Sequence, residues 1–200
     1  MESNITIECG NIKLEGSLNK NSPQKGVIIC HPHPLYGGNM ENSVVMTIAE
    51  SFFEKGFTTL RFNFRGTGNS TGMFDHGNGE QEDIRAVMSW LTQNGYQKIY
   101  LAGYSFGARM NALVVSKGCS IEDHIMVSPP VGFISFDDIE QMPSTGLIVA
   151  GANDEIAPAD QVQDHINRWN ITPQYEIIKD CDHFYSGCLD RLRAILTDYL

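Results

Sequence analysis

The sequence predicts an α/β fold, and three observations point to it. Apolar runs of strand length alternate with segments of helical periodicity along most of the chain. Several of these runs are continuously hydrophobic, as expected of parallel strands that are covered on both faces. The 200 residues contain no internal repeat, low-complexity tract or Pro/Ser-rich linker. We therefore expect a single domain over residues 1–200 with one sizeable core.

The strands are predicted from the N-terminus onwards. Two short amphipathic segments open the fold and are linked by a turn at Gly10-Asn11. Six unbroken apolar runs follow, which brings the sheet to about eight strands. The eight predicted strands cover residues 5–9, 13–18, 26–30, 57–64, 98–103, 124–128, 146–151 and 175–178.

Helical patterns separate the strands. Residues 42–55 end before Gly56, which is a favourable C-terminal stop. Residues 80–93 place four apolar side chains on one stripe, and their acidic first turn suits the positive end of the helix dipole. Alternating strands and helices imply right-handed crossovers and a mostly parallel sheet with helices on both faces. Three further helices are predicted over residues 105–117, 159–169 and 187–200.

Composition excludes several classes of partner. Lys and Arg number 14 against 24 Asp and Glu, a formal charge of 14 − 24 = −10, and no basic cluster exists. Nucleic acid and anionic membrane surfaces are therefore poor partners. The N-terminus lacks a signal-peptide pattern, and no apolar run approaches the roughly 20 residues that span a bilayer. The five scattered cysteines indicate reduced thiols, so we expect a cytoplasmic protein.

The pentapeptide Gly-Tyr-Ser-Phe-Gly at 103–107 is the first chemical motif. It places Ser105 where a predicted strand meets a predicted helix, the setting in which a G-x-S-x-G serine is lifted above the sheet edge as a nucleophile. Gly103 and Gly107 flank the turn, where a Cβ would collide with a neighbouring strand or helix. The alternative interpretation is a helix N-cap serine with packing glycines.

A serine nucleophile needs a base, and the base needs an orienting acid. His183 follows the last predicted strand on a loop that leaves its C-terminal end; the alternative is a solvated loop histidine. Asp154 lies just beyond strand 146–151 and is the predicted acid, with Glu155 as the fallback. The order along the chain is then Ser105, Asp154, His183, each after a successive strand.

Four blocks of sequence resemble one family. On these blocks the chain is similar to the α/β-hydrolase superfamily over nearly its whole length, and more narrowly to small bacterial serine hydrolases related to dienelactone hydrolases. The resemblance implies the α/β-hydrolase fold, a triad in the order nucleophile, acid, histidine, and no cofactor. The blocks are HPHPLYGGNMEN (31–42), RFNFRGTGNSTG (61–72), GYSFGA (103–108) and DHFY (182–185).

The resemblance also implies an oxyanion hole made of two backbone N–H groups. The first belongs to Phe106, the residue after the nucleophile. The second comes from the loop after strand 26–30, where Pro32 and Pro34 have no N–H to donate. Aligning the family's His-Gly-X on His31 makes His33 the second donor. Here Pro32 replaces the usual glycine, a departure that affects the shape of the loop.

Three further residues are candidates for substrate binding. Arg65 lies at the C-terminal end of strand 57–64, the edge where α/β sheets bind ligands. It either holds a substrate carboxylate or phosphate, or forms a structural ion pair. Leu35 and Tyr36 follow the predicted oxyanion donor. Within the strand before Arg65, the polar residues Arg61 and Asn63 alternate with phenylalanines, so they need partners inside the fold.

No metal or cofactor is expected. His31 and His33 would point to opposite faces of an extended segment, and no third ligand is evident. Cys181 lies near His183, but it lacks the strand–turn–helix setting of a nucleophile. The chain also has no G-x-x-x-x-G-K-[ST] phosphate loop.

Only the segment 129–145 separates strands 124–128 and 146–151, so a lid domain cannot fit. We expect an open site, edged by Phe133 and Phe136, that favours smaller or exposed acyl groups. The predicted function is hydrolysis of a small-molecule carboxylic ester or thioester through an acyl-enzyme. A peptidase or amidase of the prolyl-peptidase type and a non-catalytic binding module are the alternatives. The oligomeric state is not predicted.

Overall fold

Eight strands form one sheet over residues 2–200, the part of the chain that the computed structural model describes. The strands are β1 (Glu2–Cys9), β2 (Ile12–Asn19), β3 (Lys25–Cys30), β4 (Thr58–Phe62), β5 (Lys98–Tyr104), β6 (Asp123–Val127), β7 (Thr145–Gly151) and β8 (Gln174–Ile178). Their spatial order is β1-β2-β4-β3-β5-β6-β7-β8. The pairs β1–β2 and β2–β4 are antiparallel, and all other neighbours are parallel. The predicted α/β class is confirmed.

Five helices cover the two faces of the sheet. They are α1 (Ser43–Glu54), α2 (Asn78–Gln93), α3 (Phe106–Ser116), α4 (Ala159–Arg168) and α5 (Leu189–Tyr199). The apolar side chains of α2, α3 and α4 belong to one buried cluster, and those of α1 and α5 belong to the other. Successive residues of β3 enter opposite clusters, Ile28 one and Ile29 the other. Burial on both faces explains why this strand reads as continuously apolar.

The predicted boundaries differ from the observed ones by a few residues. Strand β4 ends at Phe62 rather than residue 64, and helix α3 begins at Phe106, one residue after the nucleophile candidate. A 3-10 turn over Pro34–Tyr36 was not predicted. It arises because Pro34 fixes a helical φ at the turn's first residue while the His33 ring caps it.

Two buried polar residues near the end of β4 have hydrogen-bond partners inside the fold, as predicted. Arg61, 2% exposed, donates to the Met40 carbonyl at 2.6 Å and to a carboxylate oxygen of Glu2 at 2.6 Å. Asn63 accepts from the Met40 N–H at 2.9 Å and donates to Glu15 at 2.7 Å. The backbone of Met40 is therefore held at both its N–H and its carbonyl, which fixes the loop leading from β3 to α1.

The segment between β6 and β7, residues 128–144, carries neither helix nor strand. It forms no lid, which confirms that part of the prediction. Phe133 is 58% exposed, whereas Phe136 is buried, so Phe136 does not edge the site and that expectation was wrong. Phe136 instead packs under the guanidinium of Arg109, 5.0 Å from ring centroid to Cζ, and beside Trp169.

No helix among residues 2–200 combines the length and the apolar character that crossing a bilayer requires.

The carboxyl ends of the parallel strands meet at one edge of the sheet. The loops after β3, β5, β7 and β8 converge there, and they carry His33, Ser105, Asp154 and His183 respectively.

Candidate active site

The strand-to-helix turn holds Ser105 in a conformation that non-glycine residues rarely adopt. Its φ is 54° and its ψ is −119°. The Ser105 N–H donates to the Val127 carbonyl at 2.9 Å, and its own carbonyl accepts from the Arg109 N–H at 3.1 Å. Bonds to β6 on one side and to α3 on the other thus impose the turn.

The two flanking glycines are required by close packing. A Cβ on Gly107 would lie 2.2 Å from the Cys30 carbonyl oxygen, and a Cβ on Gly103 would lie 2.6 Å from the Ala108 nitrogen. Neither contact is possible for a real side chain. The predicted reason for these glycines is confirmed.

Ser105, His183 and Asp154 form a continuous chain of hydrogen bonds. The Ser105 Oγ lies 2.9 Å from His183 Nε2, and His183 Nδ1 lies 2.8 Å and 2.9 Å from the two carboxylate oxygens of Asp154. All three residues are buried. With Asp154 ionised, Nδ1 carries the proton and Nε2 accepts from the serine hydroxyl. Ser105 caps no helix with its side chain, and His183 is not a solvated loop residue.

The environment of Asp154 keeps it ionised. Its Oδ1 accepts from the backbone N–H groups of Ile156 at 2.9 Å and Ala157 at 2.7 Å. Burial acts to raise the pKa of Asp154, but the hydrogen bond and charge of His183, together with the backbone donors, hold that pKa below its ordinary value. The fallback acid, Glu155, is exposed and takes no part in the chain.

Two tyrosines fix the loop that carries His183, and sequence reasoning missed this role. The Tyr104 hydroxyl donates to the His183 carbonyl at 2.7 Å, and the buried hydroxyl of Tyr185 lies 2.9 Å from Ser128 Oγ. Tyr185 adopts a left-handed φ of 58° in the same loop. Tyr104 directly precedes Ser105 and Tyr185 follows His183 by two residues, but no sequence pattern there indicates a hydrogen bond between distant loops.

Phe106 and His33 stand together beside Ser105. Their rings pack with centroids 4.8 Å apart, and the His33 Nδ1 accepts from the Leu35 N–H at 3.2 Å. Among residues 2–200, neither the Phe106 N–H nor the His33 N–H has an acceptor within the protein. Both groups are free to donate to a ligand.

His31 is a structural link rather than a ligand-binding group. Its Nε2 accepts from the Phe64 N–H at 3.0 Å, and its Nδ1 lies 2.6 Å from the Pro32 carbonyl oxygen. Burial lowers the pKa of His31 to about 4, against the opposing effect of the Pro32 bond, so the ring is neutral near pH 7. It ties the loop after β3 to the end of β4. Among residues 2–200 no group of three or more His, Cys, Asp or Glu is placed to hold a metal ion.

Arg65 is occupied by an ion pair. The guanidinium Nη2 and Nε lie 2.7 Å and 3.0 Å from Asp83 Oδ1. The backbone N–H of Arg65 also donates to Asp83 Oδ2 at 2.9 Å. The Asp83 side chain is fully buried. This geometry favours the structural interpretation over substrate binding, because the guanidinium does not line the cavity at Ser105.

Ser105 opens onto a cavity of about 530 Å³, hereafter the Ser105 cavity. Of the two predicted substrate-binding residues on the loop after β3, Tyr36 lines this cavity and the exposed Leu35 does not. Among the described residues that line it there is no Asp, Glu, Lys or Arg. Its apolar and aromatic walls are formed by Pro32, Tyr36, Tyr104, Phe106, Pro130, Phe133, Ile134, Ile156 and Phe184. The site therefore presents an uncharged, mainly apolar space to the serine.

Comparison with known proteins identifies the family to which the chain belongs. The X-Pro dipeptidyl-peptidase (S15) family matches residues 20–185 of the chain. The chain belongs to this family. An uncharacterised protein of Rickettsia prowazekii (strain Madrid E) is 38% identical, over 94% of this chain and 84% of that protein.

Two solved structures agree with this assignment. An α/β serine hydrolase homologue from Coxiella burnetii is 38% identical with a TM-score of 0.92, over 99% of this chain and 97% of that one. An α/β serine hydrolase without a lid from Xanthomonas campestris is 33% identical with a TM-score of 0.91, over 99% and 93%. The S15 family member described here is thus a serine hydrolase of the α/β-hydrolase fold, as its sequence predicted.

Proposed function

We propose that this S15 family member cleaves a carboxylic ester or thioester through an acyl-enzyme on Ser105. One observation carries the proposal: the hydrogen-bonded chain of Ser105, His183 and Asp154 opens onto an uncharged and mainly apolar cavity. These three hydrogen-bonded residues supply an activated nucleophile. The cavity suits a neutral acyl group, because a charge placed there would lose its hydration without gaining an ionic partner.

The first chemical step is attack by Ser105. His183 Nε2 takes the hydroxyl proton while Oγ forms a bond to the substrate carbonyl carbon, and the carbonyl electron pair moves onto oxygen. Asp154 holds Nδ1 protonated and stabilises the imidazolium that results.

The oxyanion is held by the N–H groups of Phe106 and His33, at the positive end of α3. Losing one such donor costs about 3 kcal/mol of transition-state stabilisation. The imidazolium then gives its proton to the leaving alcohol or thiol as that bond breaks. His183 then deprotonates a water that attacks the acyl carbonyl carbon, and it returns this proton to the Ser105 Oγ as the bond to the acyl group breaks and the acid leaves.

Release of N-terminal X-Pro dipeptides is the second candidate, and the description of the S15 family supports it. Such a substrate brings a free ammonium group into the site, where a carboxylate must bind it to offset its desolvation. Within residues 2–200 the lining of the Ser105 cavity offers no Asp or Glu, and Asp138, which lines an adjoining cavity, is already paired with Arg109. The ester or thioester assignment is therefore the better supported one.

A substrate panel tests the proposal. Purified protein and its Ser105→Ala variant are assayed with p-nitrophenyl esters, acyl thioesters and X-Pro p-nitroanilides. We expect turnover of esters or thioesters that disappears in the variant. Faster turnover of the anilides would overturn the ester assignment in favour of the peptidase. Failure of the wild type to react with a fluorophosphonate would indicate a binding module without catalysis.

We also propose a cytoplasmic location. All five cysteines are free thiols, the state that a reducing compartment maintains.

A further inference from the structure

A second cavity adjoins the Ser105 cavity. It has a volume of about 410 Å³ and is hereafter called the Arg109 cavity. The two cavities share His33, Tyr36, Phe106 and Ile134 in their walls. The two proposed oxyanion donors, Phe106 and His33, both belong to this shared wall, so the two cavities adjoin the same predicted oxyanion position. One can take the acyl group and the other the leaving group.

The two cavities differ in chemistry. The Ser105 cavity has no charged residue in its described lining, whereas the Arg109 cavity is lined by groups that donate and accept hydrogen bonds. Its apolar lining includes the ring of Phe74. Its polar side chains are His76, Asn78, Gln81, Arg109 and Asp138.

Arg109 is buried with unused donors. Only 8% of the residue is exposed, and its Nη2 donates to the two oxygens of Asp138 at 3.0 Å and 3.1 Å. Within residues 2–200 its Nε and Nη1 have no hydrogen-bond partner. The Asp138 side chain is 55% exposed and keeps acceptor sites open towards the solvent. A buried donor without a partner is unfavourable. A ligand oxygen can bind Nε or Nη1 only if the Arg109 side chain shifts, whereas the Asp138 carboxylate is accessible to a ligand as it stands.

We propose that the Arg109 cavity binds the leaving-group half of the substrate; this rests on the proposed function. The leaving group is then an uncharged, hydroxyl-rich alcohol such as a polyol or sugar. Hydroxyls both donate and accept, which matches the carboxylate of Asp138 and the donors of Arg109 and Asn78. Aromatic walls such as Phe74 suit the apolar faces of such ligands.

The charge balance argues against a polyanionic leaving group such as coenzyme A. Arg109 is the one cation in the described lining of the two cavities, and Asp138 already neutralises it. The whole chain carries a formal charge of −10. Several phosphate charges would therefore find no unpaired cation in the two cavities, and the negative charge of the protein would repel them. The proposed substrate is then the ester of a neutral polyol and not a coenzyme A thioester.

The test uses one acyl group on four leaving groups. Butanoyl is presented as the methyl, glyceryl and glucosyl ester and as the coenzyme A thioester, and kcat/KM is measured for each. We expect the glyceryl or glucosyl ester to exceed the methyl ester roughly tenfold, the effect of one or two added hydrogen bonds. The coenzyme A thioester should not exceed the methyl ester by that factor.

Variants locate the effect. Asp138→Ala should bring the glyceryl-to-methyl ratio of kcat/KM towards one. Asp137→Ala is the matched control, because the neighbouring Asp137 pairs with Arg168 and does not line the cavity. Should loss of the Arg109 pair destabilise the fold, Asn78→Ala at an exposed position carries the same expectation.

Equal kcat/KM for all three esters would overturn the inference, and so would a preference for the coenzyme A thioester. An unchanged ratio in Asp138→Ala and Asn78→Ala would do the same. These outcomes differ from failure of the proposed function, in which no substrate of the series is hydrolysed. If hydrolysis depends on Ser105 but kcat/KM does not vary with the leaving group, only the assignment of the Arg109 cavity is overturned.

Discussion

Two buried histidines stand at the same edge of the sheet, and they differ in what their rings touch. His183 has a carboxylate at Nδ1 and a serine hydroxyl at Nε2. His31 has a backbone carbonyl at Nδ1 and the Phe64 N–H at Nε2. A hydroxyl can give its proton to the ring as it attacks, whereas a backbone amide cannot. The partner, and neither burial nor residue type, decides which histidine can act as a base.

The largest effect should come from changing the two histidines in parallel. His183→Gln removes the base and should lower kcat by about 10⁴–10⁶-fold on a p-nitrophenyl ester, the range seen when a triad member is lost. His31→Gln keeps a polar side chain at the loop, and we expect it to lose no more than about tenfold, through small shifts of the oxyanion loop. Comparable losses in both variants would contradict the difference drawn between them.

The next largest effect should come from changing the orienting acid, Asp154. Asp154→Asn preserves the shape but offers an amide to Nδ1, so the ring adopts the tautomer that cannot take the serine proton. A fall in kcat of about 10⁴-fold is expected. The adjacent Glu155 is exposed, and Glu155→Gln serves as the matched control with wild-type kinetics. Similar losses for both would mean that Asp154 has no special role.

The contrast between functional and structural partners extends to Arg65. Asp83→Ala removes the fully buried carboxylate of the pair and leaves the mostly buried Arg65 guanidinium without its only carboxylate in the described structure. We expect the free energy of unfolding to fall by about 3 kcal/mol in denaturant titrations, the lower end of the range for a fully buried pair. Glu50→Ala, which breaks an exposed pair with Arg193, should cost much less.

Substrate charge separates the two interpretations of Arg65 itself. In Arg65→Met, the ratio of kcat/KM between a neutral ester and a carboxylate-bearing ester should stay at its wild-type value. A selective loss on the carboxylate-bearing ester would restore the substrate-binding role.

The comparison of His31 with other groups also predicts a pH dependence of stability. Burial lowers the pKa of His31 to about 4 from an ordinary 6.5. Between these values the unfolded chain binds a proton that the folded chain does not, so the free energy of unfolding falls as the pH drops from 6.5 to 4. The loss attributable to His31 is roughly 3 kcal/mol and is complete below pH 4.

His31→Gln isolates this contribution. Burial also lowers the pKa of His124, to about 3, which destabilises wild type and variant alike in acid. Denaturant titrations at pH 7.5 and 4.5 should therefore show a shallower decline for His31→Gln. Parallel declines would mean that His31 is not held neutral by the fold.

Most of the fold was predictable because local patterns and tertiary packing agree. Strands buried on both faces leave continuous apolar runs, and the turn at Gly56 and the glycines around Ser105 mark where elements begin and end. Ser105, Asp154 and His183 could be chosen because each directly follows a strand, and the parallel sheet brings the ends of those strands to one edge.

Contacts between distant segments were not predictable. The partner of Arg65 lies on α2 and the backbone partner of His31 follows β4, and no local spacing records either. Phe136 was placed at the mouth because its loop is short, yet it turns inwards to support Arg109. Side-chain direction within an irregular segment depends on packing that the sequence alone does not display.

The most direct test of a serine acyl-enzyme is to trap it. Wild-type protein is mixed with p-nitrophenyl butanoate, quenched in acid within the burst of nitrophenol release, digested and analysed by mass spectrometry. The proposed mechanism predicts a butanoyl group on the peptide that contains Ser105, absent from Ser105→Ala. Steady turnover with the acyl group on Cys181, or with no covalent adduct at any time, would contradict it.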